Sequence, residues 1–353
     1  MNVSILSPDD DQWRLALDGS RYEFYHLPAY ATLEAKRTAG RACALYVENG
    51  DCSLLLPMVS REIMIGERRL PGPIALDATS PYGYPGLVVK APDSEAGLFI
   101  RQAIDEATPV LKEAGIVCVF ARLNPFLNTP DHYFEIGCLV EHGPSVWIDL
   151  TLSEVDLQRH LRSRYRSYIN KLTRSGVTAR FDLDFCHLRT FSRLYYQTMD
   201  RVSAAAWYYF DRSYFTTLKD ILKDDLKLCL VEFHDKIVAA GLFAVSNGIV
   251  QYLFSGTESD ADQPHATKLM MVYVRDWAKK CGLSVFNLGG GLGSQDDSLY
   301  QFKRGFSKLS KSFFSWRLVI NQQLYREAVS VWRRCSSLSE DDQNGYFPAY
   351  RKP

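Results

Sequence analysis

The sequence predicts an α/β protein of the α+β kind, with two tandem domains whose mixed, mainly antiparallel sheets are flanked by helices. Three observations support this prediction. The chain has 353 residues, which is enough for two domains that each bury a core. Its content of 46% hydrophobic and 23% charged residues is typical of a globular protein. A unit of hairpin, helix and strand occurs once in each half of the chain.

The first copy of this unit lies between residues 41 and 123. Residues 41–61 read as two strands around Asn49-Gly50, a pair that favours a tight hairpin turn. Residues 94–115 have apolar residues at helical spacing, and Pro109 within them predicts a kink or a split into two helices. The apolar run IVCVFARL, at residues 116–123, predicts the strand that completes the unit.

A strongly basic segment follows the expected domain boundary near residues 149–154, which divides the chain into domains 1–150 and 151–353. Residues 157–176 combine apolar residues at helical spacing with cations and contain no acid, which predicts one amphipathic helix ended by Gly176. The cations are Arg159, Arg162, Arg164, Arg166, Lys171 and Arg174. A solvated helix face and a site for a phosphate-bearing ligand are both consistent with this pattern.

The second copy of the unit begins at residue 226. Residues 226–255 predict three antiparallel strands with turns at His234-Asp235 and Asn247-Gly248. Residues 264–281 predict a helix that starts at a proline and is stopped by Gly282. Residues 283–288 predict the strand after it, and residues 312–320 predict one more strand.

The stretch FNLGGGLGSQDDSLYQFKRGF, from Phe286 to Phe306, contains a glycine loop, but it does not fit a nucleotide-binding fingerprint. A dinucleotide site needs a long apolar helix after the glycines, and here the segment that follows is short and polar. Ser294 occupies the third glycine position, and the Lys-Ser/Thr ending of a phosphate loop is missing. The glycines predict a close approach of backbone to backbone or to a ligand, with a plain turn as the alternative.

Charge and cysteine usage exclude several classes of protein. Lysine plus arginine and aspartate plus glutamate both number 41, so the net charge points to no nucleic-acid or acidic partner. The eight cysteines form no CxxC pair and no zinc-ligand spacing, so we expect reduced thiols and no metal. Without a cationic start or an apolar run of membrane length, the sequence predicts a cytoplasmic protein with no integral membrane segment.

Several motifs together resemble a known family. The order of PHATKLMMVYVRDWAKKCG, NLGG and SLYQFKRGFS resembles the C-terminal half of the Fem-type aminoacyltransferases. The stretches YHLPAYATLEA (25–35), SPYGYPGLVV (80–89) and RYRSYINKLTRSGV (164–177) are similar to acyltransferases of surface-polysaccharide loci. The resemblance covers most of residues 20–320. It implies two tandem domains of the GNAT acetyltransferase fold, with an active cleft between them that is lined mainly by the second.

The resemblance also implies site residues. Lys303 matches a lysine placed where charge develops on the acyl donor, and Tyr252 matches a phosphate-contacting tyrosine on the hairpin. His265, at a helix start, is expected to be neutral and available as a base. Asp77 matches an acidic residue after a Gly-Pro step, and a turn-forming aspartate is the alternative. The expected catalytic residues are therefore Lys303, Tyr252, His265 and Asp77.

A larger set is expected to bind substrate. Arg201 and Arg212 match the region that contacts substrate phosphate, and the sequence does not choose between them. Trp207 lies in the same stretch, and Phe302 precedes Lys303. The basic segment and the glycine loop supply the remaining members. The expected substrate-binding residues are Arg201, Arg212, Phe302, Trp207, Arg164, Arg166, Gly290 and Gly291.

Two departures from the family leave the acyl donor open. The first-domain helix has Lys36 out of clear register with the family's phosphate-contacting lysine. In place of a glycine-rich acetyl-CoA loop, the chain has SDADQPHATK, where Asp260 and Asp262 would repel a pyrophosphate. The helical arm that some family members use for tRNA is not evident. The donor is therefore predicted to be acyl-CoA or an aminoacyl-tRNA, with no metal.

The chemistry expected from the sequence is direct acyl transfer. No GxSxG motif or recognisable nucleophile triad is present, which favours direct attack in a ternary complex over a covalent acyl-enzyme. We predict an N-acyltransferase acting on an amine of a nucleotide- or lipid-linked sugar or other cell-envelope precursor, at the inner face of the membrane if the acceptor is lipid-linked. The alternatives are a tRNA-dependent peptidyltransferase acting on a peptidoglycan precursor, a nucleic-acid-binding module, and a non-catalytic double-GNAT scaffold. The sequence does not indicate an oligomeric state.

Overall fold

The chain forms two compact units in the computed structural model, which describes residues 1–66, 68–70, 74–258, 265–335 and 345–352, with only the backbone for residues 68, 69 and 294. The first unit comprises Met1–His142 together with Phe313–Pro353, and the second comprises Gly143–Ser312. The sequence placed residues 313–353 in the second domain. The structure instead assigns them to the first unit, because Ser315 to Val319 pair with the strand at residues 118–122.

Helices and strands are interspersed along both units. The helices are α1 (Asp11–Leu17), α2 (Pro28–Arg37), α3 (Ala96–Glu113), α4 (Glu154–His160), α5 (Ser163–Arg174), α6 (Leu188–Arg201), α7 (Arg212–Leu222), α8 (Ala266–Lys280), α9 (Ser298–Lys303) and α10 (Gln322–Cys335). The strands are β1 (Asn2–Leu6), β2 (Arg41–Asn49), β3 (Cys52–Glu62), β4 (Met64–Ile65), β5 (Arg68–Arg69), β6 (Leu76–Thr79), β7 (Val88–Lys90), β8 (Ile116–Arg122), β9 (Cys138–Asp149), β10 (Thr178–Phe181), β11 (Leu226–Phe233), β12 (Lys236–Ser246), β13 (Ile249–Thr257), β14 (Val285–Gly289) and β15 (Ser310–Val319).

The first unit is built around a mixed sheet. Its strands lie in the order β1-β2-β3-β6-β8-β15, with β7 paired to β3, and only β6 and β8 run parallel among these described strands. The predicted hairpin at Asn49-Gly50 is confirmed, and Gly50 takes the left-handed φ of +59° that its turn requires. Helix α3 runs through Pro109 as one helix, so the alternative of a split into two was wrong. Its apolar face packs on the sheet and forms the main core of this unit.

The second unit contains a sheet in the order β9-β14-β13-β12-β11-β10, and of these described strands only β13 and β14 run parallel. The predicted three-stranded meander is confirmed as β11, β12 and β13. His234, Asp235 and Asn247 all have positive φ angles at its two turns. Helix α8 packs on this sheet through Met270, Met271 and other buried residues. Pro264, the predicted helix start, lies outside the described residues.

The basic segment at residues 157–176 is two helices rather than the single helix that the sequence predicted. Helix α4 ends at His160, and α5 starts at Ser163. The Arg166 guanidinium reaches back and donates to the carbonyl of Gln158 at 2.6 Å, which satisfies a free carbonyl at the end of α4. The break has a tertiary cause, because Arg162 N bonds the carbonyl of Gly305, which is distant in sequence, instead of continuing the helix.

The parallel strands β13 and β14 pair only over Ile249 to Gln251 and Val285 to Asn287. Beyond these three pairs, β13 continues to Thr257 along β12, while β14 ends at Gly289. Among the described residues, the two strands therefore part at their carboxyl ends. Such a parting between parallel strands is a common place for a ligand, because it leaves backbone groups and side chains facing an open space.

Asp77 has a structural environment in the first unit. Its fully buried carboxylate accepts from Arg61 Nη2 and from Arg351 Nε, each at 2.7 Å. These contacts join β3, β6 and the segment at residues 345–352. Both carboxylate oxygens are thereby occupied by guanidinium groups, so the arrangement does not support the catalytic role that the sequence suggested for Asp77.

Replacement of Asp77 by asparagine tests this structural role. The variant leaves the guanidinium groups of Arg61 and Arg351 without their counter-ion, so we expect the free energy of unfolding to fall by about 3–5 kcal/mol. Urea denaturation of the full chain measures the change. Asp11→Asn removes an exposed carboxylate that pairs with Arg14 and should leave the midpoint unchanged. Equal stability of Asp77→Asn and wild type would contradict the assignment.

Candidate active site

The site in the second unit begins with a buried amide at the end of β14. The Asn287 side chain accepts hydrogen bonds from Ser145 Oγ at 2.9 Å and from Gly289 N at 3.1 Å. Its amide nitrogen donates to Gln251 Oε1 at 2.8 Å. The pairing of β14 with β9 shifts register between Asn287 and Gly289. Asn287 therefore satisfies the polar groups that this bulge leaves buried, and it fixes the start of the glycine loop.

The glycine loop is held close to the start of α9. Gly289 has a left-handed φ of +78°, and a Cβ added at Gly291 would lie only 2.1 Å from the carbonyl oxygen of Gln295. Asp297 caps α9 by accepting from Tyr300 N at 2.8 Å, and its second oxygen accepts from Leu292 N at 2.9 Å. The loop thus shows the close approach of backbone to backbone that its glycines predict.

Lys303 places an ammonium group at this loop. Its side chain is 8% exposed, and Nζ donates to the carbonyl of Gly290 at 2.6 Å. Burial lowers the pKa of Lys303 from 10.5 to about 8, although the carboxylate of Asp297 favours the charged form. Within the part of the chain that the structure describes, Lys303 forms no ion pair. Burying a cation that has one carbonyl partner costs free energy. Such a group is typical of a site where a negative charge binds or develops.

Tyr252 forms an aromatic wall beside Lys303. Lys303 Nζ lies 5.9 Å from the centre of the Tyr252 ring, within the range of a cation–π contact. The ring stacks on Phe243 with centroids 5.6 Å apart, and its hydroxyl shares a hydrogen bond with Ser255. Burial raises the pKa of Tyr252, so its phenol stays protonated at neutral pH. The structure thus brings together Lys303, Tyr252, Gly290 and Gly291 from the predicted site.

A second group of rings surrounds Lys268 on α8. Its Nζ lies 4.8 Å from the centre of the Tyr165 ring, 5.6 Å from that of Tyr168 and 5.5 Å from that of Phe302. Burial and the nearby Arg164 both lower the pKa of Lys268. Phe302 also accepts a hydrogen bond at its carbonyl from the Tyr165 hydroxyl at 3.1 Å. Phe302 therefore joins α9 to α5 and forms part of the surroundings of Lys268.

His265 lies at the start of α8, within the same group. Its ring contacts that of Tyr168 with centroids 3.7 Å apart, and Nδ1 lies 3.2 Å from Lys268 Nζ. Because an ammonium group can only donate, Nδ1 accepts this bond, and the proton of a neutral ring then lies on Nε2. This geometry does not favour the predicted role of His265 as a free base. The Arg164 guanidinium donates to the Tyr168 hydroxyl and so extends the cationic group to α5.

The other predicted substrate-binding residues lie elsewhere in the second unit. Arg201, at the end of α6, donates to Thr257 Oγ1 at 2.6 Å, which places it beside the end of β13. Arg212 is an exposed residue at the start of α7, and Trp207 is 49% exposed in the short 3₁₀ helix before it. Arg166 supports the end of α4, as described above. These four residues therefore belong to elements other than the glycine loop and α9.

Sequence reasoning missed the polar groups inside the sheet. Ser145, Gln251 and Asn287 are buried on three neighbouring strands, and Lys268 of α8 is half-buried near the rings of Tyr165 and Phe302. A signal was present, since asparagine and glutamine within apolar strand sequences are unusual. Nothing in the sequence showed that the three side chains would meet.

Some sequence predictions fall outside what the structure describes. Asp260 and Asp262, which were expected to disfavour a pyrophosphate, lie in the undescribed residues 259–264. In the described ranges, no group of three or more histidine, cysteine, aspartate or glutamate side chains could hold a metal ion. A search of the described helices for a long apolar segment found none that could cross a membrane.

Comparison with protein families gives a direct match to this part of the chain. Residues 159–304 match the family described as acetyltransferase (GNAT) domain, and they include α5, α8, the glycine loop and Lys303. This segment is similar to a GNAT acetyltransferase domain. The predicted enzyme class, an acyltransferase, is thereby confirmed. A search of curated proteins found no match.

Solved structures with a similar fold cover nearly the whole chain. FemX is 13% identical, with a TM-score of 0.67, and the match covers 93% of this chain and 99% of FemX. L-PGS from Bacillus licheniformis is 13% identical, with a TM-score of 0.56 and coverage of 93% and 97%. The C-terminal domain of a putative lysylphosphatidylglycerol synthetase from Agrobacterium fabrum is 14% identical, with a TM-score of 0.55 and coverage of 92% and 96%. The predicted fold class, α/β with mixed sheets flanked by helices, is confirmed, and the GNAT match lies within the second unit.

The buried charge of Lys303 predicts an unusual dependence of stability on pH. Because the pKa falls from 10.5 to about 8 on folding, the unfolded chain binds more protons between these values, and stability should rise with pH across that window. At pH 7 the buried charge costs about 3 kcal/mol, so Lys303→Met should be more stable than wild type by up to that amount. Urea titrations at pH 7 and pH 10.5 measure the difference.

Lys308→Met is the matched control, because Lys308 is an exposed lysine that follows α9 closely along the chain. This control should follow the wild-type pH dependence. A Lys303→Met protein that is less stable than wild type at every pH would show that the ammonium group stabilises the fold instead.

Proposed function

We propose that this enzyme transfers an acyl or aminoacyl group to an amine of a sugar or other cell-envelope precursor by direct attack in a ternary complex. The observation that carries the proposal is the buried ammonium group of Lys303. It lies against the carbonyl of Gly290, beside Tyr252, and forms no ion pair within the described residues. It lies beside the glycine loop that follows β14, where the parallel strands β13 and β14 part.

The reaction needs a positive charge where negative charge develops. The acceptor amine attacks the carbonyl carbon of the donor, and a C–N bond forms as the carbonyl oxygen becomes an oxyanion. The C–S bond of a thioester or the C–O bond of an ester then breaks, and the leaving group receives a proton while the nitrogen loses one. Lys303 can stabilise the oxyanion or the leaving group, and its low-dielectric surroundings strengthen that interaction.

A covalent acyl-enzyme is less consistent with this site. Cys229 is fully buried in the second unit, and burial raises the pKa of its thiol, which disfavours the nucleophilic thiolate. The described residues provide no ion pair or hydrogen bond that would activate a serine or cysteine beside Lys303. Attack by the bound acceptor amine itself requires only orientation and charge stabilisation.

The donor is proposed to carry phosphate groups, as acyl-CoA and aminoacyl-tRNA both do. Lys268 and Arg164, together with His265, form a cationic and aromatic group at the start of α8 that suits such a donor. Fold similarity to FemX and to lysylphosphatidylglycerol synthetases supports the aminoacyl alternative. A nucleotide- or lipid-linked sugar is the proposed acceptor, and a lipid-linked acceptor would bring the enzyme to the inner face of the membrane.

A transfer assay with defined donors tests the function. Purified protein is incubated with acetyl-CoA, longer acyl-CoA or aminoacyl-tRNA, and with a UDP-linked amino sugar or a lipid-linked glycan precursor. Mass spectrometry should show an acceptor heavier by one acyl group. Lys303→Ala should lower kcat about 100- to 1000-fold, as loss of an oxyanion-stabilising group does, while Lys308→Ala should not. Unchanged kcat in Lys303→Ala would contradict the assigned role, and an unchanged surface glycan in cells lacking the protein would contradict the acceptor class.

The pH dependence of kcat separates a charge-stabilising role from a structural one. The pKa of Lys303, about 8, means that its positive charge is present below that pH and is lost above it. The kcat of the wild type should therefore decline above about pH 8 once the acceptor amine is deprotonated. Lys303→Arg keeps its charge to higher pH and should shift this decline upward. A decline at the same pH in both proteins would assign it to another group.

A further inference from the structure

The first unit contains a cluster of basic side chains on strands β8 and β15. It is separate from the cationic group around Lys268 in the second unit. Ser315 lies opposite Arg122, and Arg317 lies opposite Phe120, in the antiparallel pairing of these strands. Since alternate residues of a strand share a face, Arg122, Ser315 and Arg317 lie on the same face of the sheet. Arg122 and Arg317 are diagonal neighbours, with Cα atoms roughly 7–8 Å apart in such a pair. The pairing therefore brings two guanidinium side chains close together.

A histidine joins the two arginines. His142 Nε2 forms a hydrogen bond with Ser315 Oγ at 2.8 Å, which places the imidazole on the same face. Burial lowers the pKa of His142, and the charges of Arg317 and Arg122 lower it further. Both guanidinium groups thus act on His142 and make a positive charge on its ring less favourable.

The positive charge of this cluster is not neutralised within the described residues. The Arg317 guanidinium donates to the carbonyl of Gly345 at 3.2 Å, but its Nε is buried and has no hydrogen-bond partner there. Arg122 lies over the ring of Phe120, 5.2 Å from its centre. Neither arginine forms an ion pair in the described part of the chain. A buried donor without a partner, within a group of like charges, is the pattern expected where an anion binds.

The carboxylate on the neighbouring strand belongs to a separate group. Asp77 lies on β6, which pairs with β8, and it is occupied by Arg61 and Arg351. It therefore cannot serve as the counter-ion of Arg122 and Arg317 without leaving its own partners.

Aromatic rings adjoin the basic cluster. The ring of His142 stacks on Phe313 with centroids 4.8 Å apart and an angle of 14° between the planes. Tyr84 meets Phe313 edge to face at 5.1 Å. Phe313 is itself only 8% exposed, so the accessible aromatic surface here belongs to the half-buried Tyr84 and His142. Such a surface suits a sugar or a planar ring, which an isolated inorganic ion does not offer.

We propose that Arg122, Arg317 and His142 form a binding site for the phosphate group of a phosphorylated ligand, with the half-buried Tyr84 packing against the ring attached to it. Guanidinium groups match the geometry of phosphate oxygens and bind them with paired hydrogen bonds. Arg122 and His142 are half-buried, so the site is open to a ligand and is also partly shielded from water. This site does not depend on the acyl-transfer function proposed for the second unit.

Phenyl phosphate and inorganic phosphate are suitable probes, because they share the phosphate and differ in the ring. Isothermal titration calorimetry with the full chain should show binding of both, with phenyl phosphate tighter. Arg122→Gln and Arg317→Gln should each weaken binding about 10- to 100-fold, as loss of a charge-assisted bond does. Arg21→Gln makes the same change at an exposed position of the same unit and should leave binding unchanged. Benzoate binding tighter than phenyl phosphate would overturn the choice of ligand.

Two further measurements separate a ligand site from a structural cluster. Without ligand, Arg122→Gln and Arg317→Gln should unfold at a temperature equal to or above that of wild type, because repulsion is relieved. Phosphate should raise the pKa of His142 in NMR titrations, with the His142 resonance assigned through His142→Gln. Lower stability of both arginine variants, together with unchanged affinity for phenyl phosphate, would overturn the proposal.

The source of the phosphate is distinguished with vesicles. Arg122-dependent binding to phosphatidylglycerol vesicles, with none to phosphatidylcholine vesicles, would identify a lipid headgroup as the ligand. Binding of phenyl phosphate without binding to vesicles would identify a soluble phosphorylated molecule. Failure of wild type to bind phenyl phosphate, inorganic phosphate and vesicles at millimolar concentrations would overturn the site.

Discussion

The hydrogen bond from the buried ammonium group of Lys303 to the carbonyl of Gly290 is the interaction on which the candidate site depends. It joins α9 to the glycine loop, and the loop in turn starts from the bulge that Asn287 supports. Burial disfavours the charged form of Lys303 and thereby lowers its pKa to about 8. The fold therefore maintains a charge that weakens stability, and acyl transfer gives a physical reason for it, because the reaction creates negative charge.

Three cationic groups in this protein differ in how their charge is balanced. The guanidinium groups of Arg61 and Arg351 share the carboxylate of Asp77, and such a neutralised cluster holds elements of the fold together. Lys303 has a carbonyl and an aromatic ring but no carboxylate partner among the described residues. Arg122 and Arg317 likewise form no ion pair there. The balance of charge, rather than the presence of charged residues, distinguishes the structural cluster from the two candidate sites.

Predictions from the sequence succeeded where the determining interactions are local. The hairpins at Asn49-Gly50 and Asn247-Gly248 follow from the backbone freedom of two residues. The roles of Lys303 and Tyr252, which rest on a family resemblance, stay predictions. The roles expected for Asp77, His265 and Arg166 depended on partners that the sequence does not show. Asp77 meets Arg351, 274 residues later, and this pairing occupies the carboxylate that the sequence suggested as catalytic.

The sequence by itself determined the two units of hairpin, helix and strand, the position of the glycine loop and the class of acyltransferase. These features depend on periodicity, turn residues and short motifs, which neighbouring residues specify. Only the tertiary structure decided that residues 313–353 belong to the first unit, that Ser145, Gln251 and Asn287 form one buried network, and that two arginines lie beside His142. Burial and counter-ions set the energy of a charged side chain, and both arise only when distant segments of the chain pack together.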